Sequence, residues 1–358
     1  MIMKNRSKII LLGAAVAAFL CGCAKEKTES EADSVKREFE AWMSLNYPGA
    51  TASGRGVYII NDVPGTGDAI SPGTDKFAIV RFVWKDLDKN IETSTEETLA
   101  KQLGKYKEVN YYGPVAWAFY PQAIYAGFYD AISGMRTGGT REFISPSWLN
   151  TYSDYPSEEQ YLKKYKSDEC HDASIVKVTL LDKTSDIVRY QIDSIERYIV
   201  RNMGSKRDSA FLGYYYIRTQ APADEESLKD STVYINYTGR LLNGKVFDTT
   251  IEDTARFHNI YDASKTYEPQ KVYIGESVDK VSMGSNASAS SSSSGTGTTN
   301  ITASGLVRGF AYTLFNMKHY EKGTCIFVSS YGYSSSGSGR SIPAYSPLRF
   351  DIELVDKP

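Results

Sequence analysis

The residues best placed to do chemistry lie in one stretch, Val233 to Thr250, reading V-Y-I-N-Y-T-G-R-L-L-N-G-K-V-F-D-T-T. Val233, Ile235 and Tyr237 alternate along one strand face, Gly239 and Asn243-Gly244 supply turn residues, and Lys245-Val246-Phe247 starts a return strand. Such a hairpin brings Tyr237 and the Phe247-Asp248 pair to one pocket. Elsewhere His171, His258 and His319 stand isolated, without the Cys/His or carboxylate spacing of a metal site, so no metal and no cofactor are expected.

The elements that must hold this pocket belong to a chain of 358 residues, long for one domain and comfortable for two, each able to bury its own core. The formal net charge is −2 and no long run is basic, which argues against a nucleic-acid partner. Lys4, Arg6 and Lys8 precede an apolar run, Ile9 to Leu20, too short to span a membrane as a stable helix and laid out as a targeting signal. It ends Leu20-Cys21-Gly22-Cys23, which resembles a bacterial lipobox with residues 1–22 removed and Cys23 lipidated. A polar tether follows, Ala24 to Glu31, and no Asp follows the cysteine, so an outer-membrane lipoprotein is expected, facing the periplasm or the cell surface. The Lys-Glu pattern of the tether is similar to surface-export tethers of Bacteroidetes lipoproteins. Cys170 and Cys325 fall in different expected units and are read as two separate thiols.

Val35, Phe39, Trp42 and Met43 recur at helical spacing, and Val57-Tyr58-Ile59-Ile60 then reads as a strand. The same order returns later. Ile187, Val188, Ile192, Ile195 and Ile199 mark a helix, followed by Met203-Gly204 and the aromatic strand Gly213 to Ile217, which argues for a tandem repeat. In the first copy Lys76 to Val83 is a strand, Asp88-Lys89-Asn90 a hairpin turn, Ala131, Ile132 and Met135 a short helix, and Ile175 to Leu181 the closing strand. The division expected is a tether and helix over 23–55, a first unit over 56–183, a linker helix over 184–212 and a second unit over 213–358. Residues 276–305 of the second unit are rich in Ser and Gly and read as a flexible insertion. Residues 251–268 lengthen the segment after Phe247-Asp248.

Several motifs now stand in one order. The hairpin resembles V-x-V-x-Y-T-G-x-L-x-D-G-x-x-F-D-S-S of FKBP-type peptidyl-prolyl isomerases. Leu306-Val307-Arg308-Gly309-Phe310 resembles that family's V-I-x-G-W, with Phe310 in the Trp place. Tyr331-Gly332-Tyr333, Ser341-Ile342-Pro343 and Leu348-Arg349-Phe350-Asp351-Ile352-Glu353-Leu354 resemble its closing segments. The likeness is weak in the first copy and strong in the second.

The resemblance implies an α+β fold of two FKBP-like domains, each a twisted antiparallel sheet wrapped around a short helix. It implies a prolyl isomerase and folding factor for extracytoplasmic proteins, with Tyr237, Phe247, Asp248 and Tyr333 catalytic and Val307, Phe310, Ile342 and Phe350 binding substrate. Tyr333 would donate to a substrate carbonyl and Asp248 would sit at the polar edge. Proline-containing polypeptides would be the clients, and the lipid on Cys23 the link to the membrane. Departures set a rival reading beside it, a non-catalytic polypeptide-binding or chaperone-like lipoprotein. Gln270 stands where an aromatic wall is typical, Ser334 follows Tyr333 where Gly is usual, and Phe310 offers less area than Trp. In the first copy Phe82 aligns with the pocket Tyr, but Glu92-Thr93 fall where Phe-Asp belong. A carboxylate there would be costly in an apolar pocket, so that copy is expected to be structural or to bind clients, without catalysis.

Overall fold

The computed structural model describes residues 31–165, 170–204, 208–284, 301–302 and 304–358. The signal segment, Cys23, the tether to residue 30 and most of the Ser/Gly-rich stretch lie outside the described residues.

Two antiparallel sheets organise the chain, one of six strands and one of eight. The first unit opens with helix α1 (Glu31–Asn46) and continues through β1 (Tyr58–Val63), β2 (Phe77–Lys85), β3 (Ile91–Ser94), α2 (Glu97–Gln102), β4 (Val115–Ala118), α3 (Ala126–Ile132), β5 (Thr140–Ser145), α4 (Glu158–Lys164) and β6 (Ser174–Thr184). The second opens with α5 (Ile187–Met203). It continues through β7 (Asp208–Phe211), β8 (Tyr214–Gln220), β9 (Ser231–Leu241), β10 (Val246–Thr249), α6 (Glu252–Phe257), β11 (Gln270–Ile274), β12 (Val281–Met283), α7 (Arg308–Asn316), β13 (Lys322–Phe327) and β14 (Leu348–Val355).

Strand order is the same in both halves. The first sheet runs β1-β5-β6-β2-β3 with β4 also on β2; the second runs β8-β13-β14-β9-β11 at its centre with β10 also on β9. A backbone detail fixes the alignment of the two copies. Tyr237 N donates to Thr250 Oγ1 at 3.0 Å and Thr250 N donates to Tyr237 O at 3.1 Å. Phe82 and Thr95 repeat this pair at 2.8 and 3.0 Å. Phe82 therefore takes the place of Tyr237, Trp84 that of Gly239, Thr93 that of Asp248 and Glu92 that of Phe247.

Alternation builds the cores. Leu348, Phe350, Ile352 and Leu354 of β14 are buried in turn between half-exposed neighbours, each contributing roughly 1.5–3 kcal/mol of burial. They pack on the short helix α7 through Phe310, Ala311 and Leu314. Gly309 permits that contact, since a Cβ there would stand 2.5 Å from the Phe327 ring; Gly127 does the same for α3 against Ser145.

Each unit also carries a long helix packed on its sheet. Phe39 and Met43 of α1 bury against Ile144 and Ile175 of the first sheet. Ile192, Ile195 and Ile199 of α5 bury against Tyr215, Ile326 and Val328 of the second. Asp186 caps α5, its carboxylate accepting from Val188 N and Arg189 N. Both helices thus join the folded units rather than hang between them. All four tryptophans, Trp42, Trp84, Trp117 and Trp148, lie in the first unit.

The units touch through side chains and loops. Tyr111 N donates to Arg340 O at 2.7 Å, Lys245 Nζ donates to the Glu108 carbonyl, and the Phe77 and Tyr345 rings meet edge-on at 5.0 Å between centroids. Desolvation at this contact holds the Lys245 ammonium below its ordinary pKa.

Two expectations change here. Gly239 lies inside β9 and not in the turn, which falls at Leu242 to Gly244. Within the expected flexible insertion, Val281–Met283 forms a strand on β11 with Val281 fully buried, because Val281 continues the apolar face of Val272 and Ile274. Residues 285–300 and 303 lie outside the described residues. No helix among the described residues is long and apolar enough to cross a membrane.

Candidate functional site

The second unit gathers its aromatic residues over α7. Tyr237 and Phe310 rings meet edge-on at 5.4 Å, Phe310 and Phe350 lie 4.8 Å apart, and Phe247 closes on Phe350 at 5.6 Å. Val307 and Ile342 are buried in the same cluster, and Phe247 and Tyr333 pack against it half-buried. Of the residues singled out in the sequence, Tyr237, Phe247, Asp248, Val307, Phe310, Tyr333, Ile342 and Phe350 all come to this one end of the sheet. Cys23 lies outside the described residues.

The hairpin sets the polar edge. Tyr237 Oη donates to Asp248 Oδ2 at 2.7 Å, and Lys265 Nζ stands 3.5 Å from Asp248 Oδ1. Lys265 comes from the lengthened segment after β10 and had no signal in the sequence pattern. The Tyr237 and Tyr333 hydroxyls both have raised pKa values, first through burial and then through the Asp248 carboxylate. Both remain protonated donors at neutral pH. A cleft of about 410 Å³ opens before Phe247 and Asp248, walled by Tyr261, Tyr267 and, from the first unit, Val109.

Gly239 is what lets the rings close. A Cβ there would stand 2.5 Å from the Phe247 ring and 3.0 Å from that of Phe350, its partner across β14. In the first copy Trp84 fills that volume, facing Val176 instead of a phenylalanine. Trp84 packs on Phe128 at 5.2 Å and on Tyr125 at 5.7 Å. Glu92 is exposed, at the edge of a separate cleft it shares with Phe82 and Thr93; the cost expected for its carboxylate does not arise. The first copy is left with an aromatic cleft of about 320 Å³ lined by Phe82, Trp84, Trp117, Tyr125 and Phe128. Among the described residues no charged side chain lines it.

Gln270 opens β11 opposite Ile235 and donates to Glu268 O at 3.2 Å, so a carboxamide stands where the aromatic wall residue is typical. Ser334 adopts φ +49°, the left-handed conformation that glycine takes without strain. Cys325 is buried in β13, its thiol pushed up to about 12 by burial, and offers no nucleophile. Among the described residues no group of His, Cys, Asp and Glu could hold a metal ion.

The second unit thus sets an aromatic pocket, edged by Tyr237 and Asp248, between an antiparallel sheet and the short helix α7. Residues 273–355 match the family model of FKBP-type peptidyl-prolyl cis-trans isomerase. The match takes in Val307, Phe310, Tyr333, Ile342 and Phe350, while the hairpin with Tyr237, Phe247 and Asp248 precedes it. No curated protein sequence matches the chain. Among solved structures, the three FKBP domains of wheat FKBP73 are 12% identical, covering 84% of this chain and 94% of that one at a TM-score of 0.27. A peptidyl-prolyl cis-trans isomerase of Pseudomonas syringae is 16% identical over 47% of this chain and 94% of its own, with a TM-score of 0.30. FkpA from Escherichia coli is 19% identical over 47% of this chain and 58% of its own, with a TM-score of 0.29. At these scores the neighbours bear on neither the site nor the activity.

Proposed function

We propose that the chain is a peptidyl-prolyl cis-trans isomerase and folding factor for extracytoplasmic proteins, active in its second unit and anchored to the outer membrane by lipid on Cys23. The observation that carries the reading is the ring cluster of Tyr237, Phe247, Phe310 and Phe350, with Asp248 on the Tyr237 hydroxyl.

The barrier to rotation about an X-Pro bond, about 18–20 kcal/mol, comes from the partial double-bond character of C–N. Lowering it needs neither nucleophile nor metal. The twisted amide loses that resonance and becomes more amine-like, so a site that binds it better than either planar isomer accelerates the exchange. The prolyl ring would rest on Phe310 and Phe350 between Tyr237 and Phe247, in a setting poor in water. The Tyr333 hydroxyl would donate to a neighbouring carbonyl, and Asp248, held by Tyr237, would face the edge where the twisted bond sits.

The soluble chain lacking residues 1–24 is expected to isomerise a short Xaa-Pro peptide, with Phe350→Ala and Asp248→Ala each reducing kcat/KM by roughly tenfold or more. A rate at background, or one indifferent to both changes, sinks the reading. Anchoring predicts incorporation of labelled palmitate that vanishes in Cys23→Ala; labelling that persists removes the lipid from that residue.

One observation favours a second reading, polypeptide binding without turnover. The uncharged aromatic cleft of the first copy, built on Trp84 and Trp117, is shaped to hold apolar side chains but lacks the Asp248 carboxylate. Under that reading unfolded clients bind equally well to the wild-type chain and to Phe350→Ala, and neither accelerates isomerisation.

A further inference from the structure

Residues 329–347 leave β13, carry Tyr333 and Ile342, and return into β14. The base of this loop is closed by a ring of hydrogen bonds. Ser329 N donates to Gln191 Oε1 at 2.7 Å, and Gln191 Nε2 donates to Tyr345 O at 2.8 Å. Tyr345 N donates to Ser334 O at 2.7 Å, and Ser334 N donates to Ser329 O at 2.8 Å, which completes the circuit. Gln191 Nε2 also lies 3.0 Å from Ser329 Oγ.

Three features make this more than a surface contact. Gln191 is 2% exposed and Ser329 4%, so the bonds between these two residues are buried, while the one to Tyr345 is part-buried. Both Ser334, at φ +49°, and Tyr345, at φ +59°, hold left-handed backbone that their side chains disfavour, and each is bonded within the ring. The closing residue also comes from outside the loop, on α5, where it shares a face with Ile195 one turn on. A polar side chain on a buried apolar face needs all its partners, and of the neutral side chains only a carboxamide offers a carbonyl to one amide and an N–H to another carbonyl.

We propose that Gln191 is a positioning residue for the isomerase site: from the helix packed on the second sheet it closes this ring and fixes where Tyr333 and Ile342 stand at the pocket. The proposal rests on the reading of the second unit as a prolyl isomerase. Tyr333 is the residue immediately before Ser334, so releasing the ring frees the hydroxyl that must meet the substrate carbonyl. The loop tip is steadied separately by the first unit, through Tyr111 N on Arg340 O.

The test compares the full chain, purified in detergent, with Gln191→Leu, Gln191→Glu and Ile195→Val. Ile195 is fully buried on the same helix in one cluster with Tyr215, Ile326 and Val328, where it contributes packing and no hydrogen bond of the ring. Hydrogen exchange and kcat/KM on an Xaa-Pro peptide are the two readouts. Gln191→Leu is expected to speed amide exchange in 329–347 roughly tenfold, with β9 and β14 as protected as before, and to lower kcat/KM by a similar factor. Gln191→Glu still accepts from Ser329 N, so it should protect the start of the loop and release the end near Tyr345; it also carries the comparison if the leucine variant does not fold. Ile195→Val should leave loop and rate unchanged relative to the folded fraction. Loop exchange as slow as in the wild type, a released loop with undiminished kcat/KM, or equal loop release in Ile195→Val would each overturn the proposal. A wild-type chain inert on the peptide defeats the isomerase reading, and the exchange comparison still decides whether Gln191 holds the loop.

Discussion

Gly239 and Trp84 occupy the same place in the two copies, and the difference between them accounts for much of the difference between the two pockets. Without a side chain at Gly239 the Phe247 and Phe350 rings meet over β9, and Asp248 follows Phe247 to the rim. With an indole at Trp84 the ring that would come from Glu92's position is not needed, and the polar residue turns to water. Gly239→Ala is therefore expected to destabilise the second unit by about 1–3 kcal/mol through overpacking and to lower isomerase kcat/KM more than a matched core variant does. Urea titration and the peptide assay read the two effects, and an alanine variant with wild-type kinetics would remove Gly239 from the pocket. Tyr237, Phe247 and Asp248 were legible in the sequence because alternation and a turn bring neighbours in sequence together. Gly239 reads as a turn residue and proves to be a strand residue, since what it makes room for includes Phe350, far along the chain. Gln191 gave no signal, because its partners Ser329 and Tyr345 belong to a distant loop.

At the scale of elements, periodicity found the long helices and the central strands of both copies but did not find what the helices pack on. Helix α1 reads as an extension of the tether, yet Phe39 and Met43 are buried against the first sheet and the Phe39 ring meets Tyr58 at 6.0 Å. Phe39→Ala is expected to cost about 3–5 kcal/mol of first-unit stability, seen as an earlier urea transition in far-ultraviolet dichroism; an unchanged transition would return the helix to the tether. Elements without a strong period were missed. β4 reads Val-Ala-Trp-Ala and is recognisable only through its pairing with β2, and α4 is a helix of seven residues. Within the expected insertion the apolar residue Val281 was enough to recruit an edge strand to the sheet.

Across the whole molecule the abundance of tyrosine, 27 residues, becomes a statement about pH. Burial raises the pKa values of Tyr214, Tyr216 and Tyr237 above the ordinary value near 10. Folding thus favours their neutral forms. The stability this contributes is complete below the unfolded pKa and is lost as pH climbs toward the folded values, because the unfolded state releases protons first. The urea midpoint should be insensitive to these groups from about pH 7 to 9 and fall above about pH 10; a midpoint that rises there would contradict the buried, neutral assignment. The same sign applies to the site, where Tyr333 should keep donating through the neutral range. Tryptophan has the opposite distribution, confined to the first unit while the second holds only tyrosine and phenylalanine. The chain therefore carries a one-sided chromophore, and emission excited at the red edge of the indole band watches one half of the molecule alone. Light can tell which half a denaturant or an added ligand has reached.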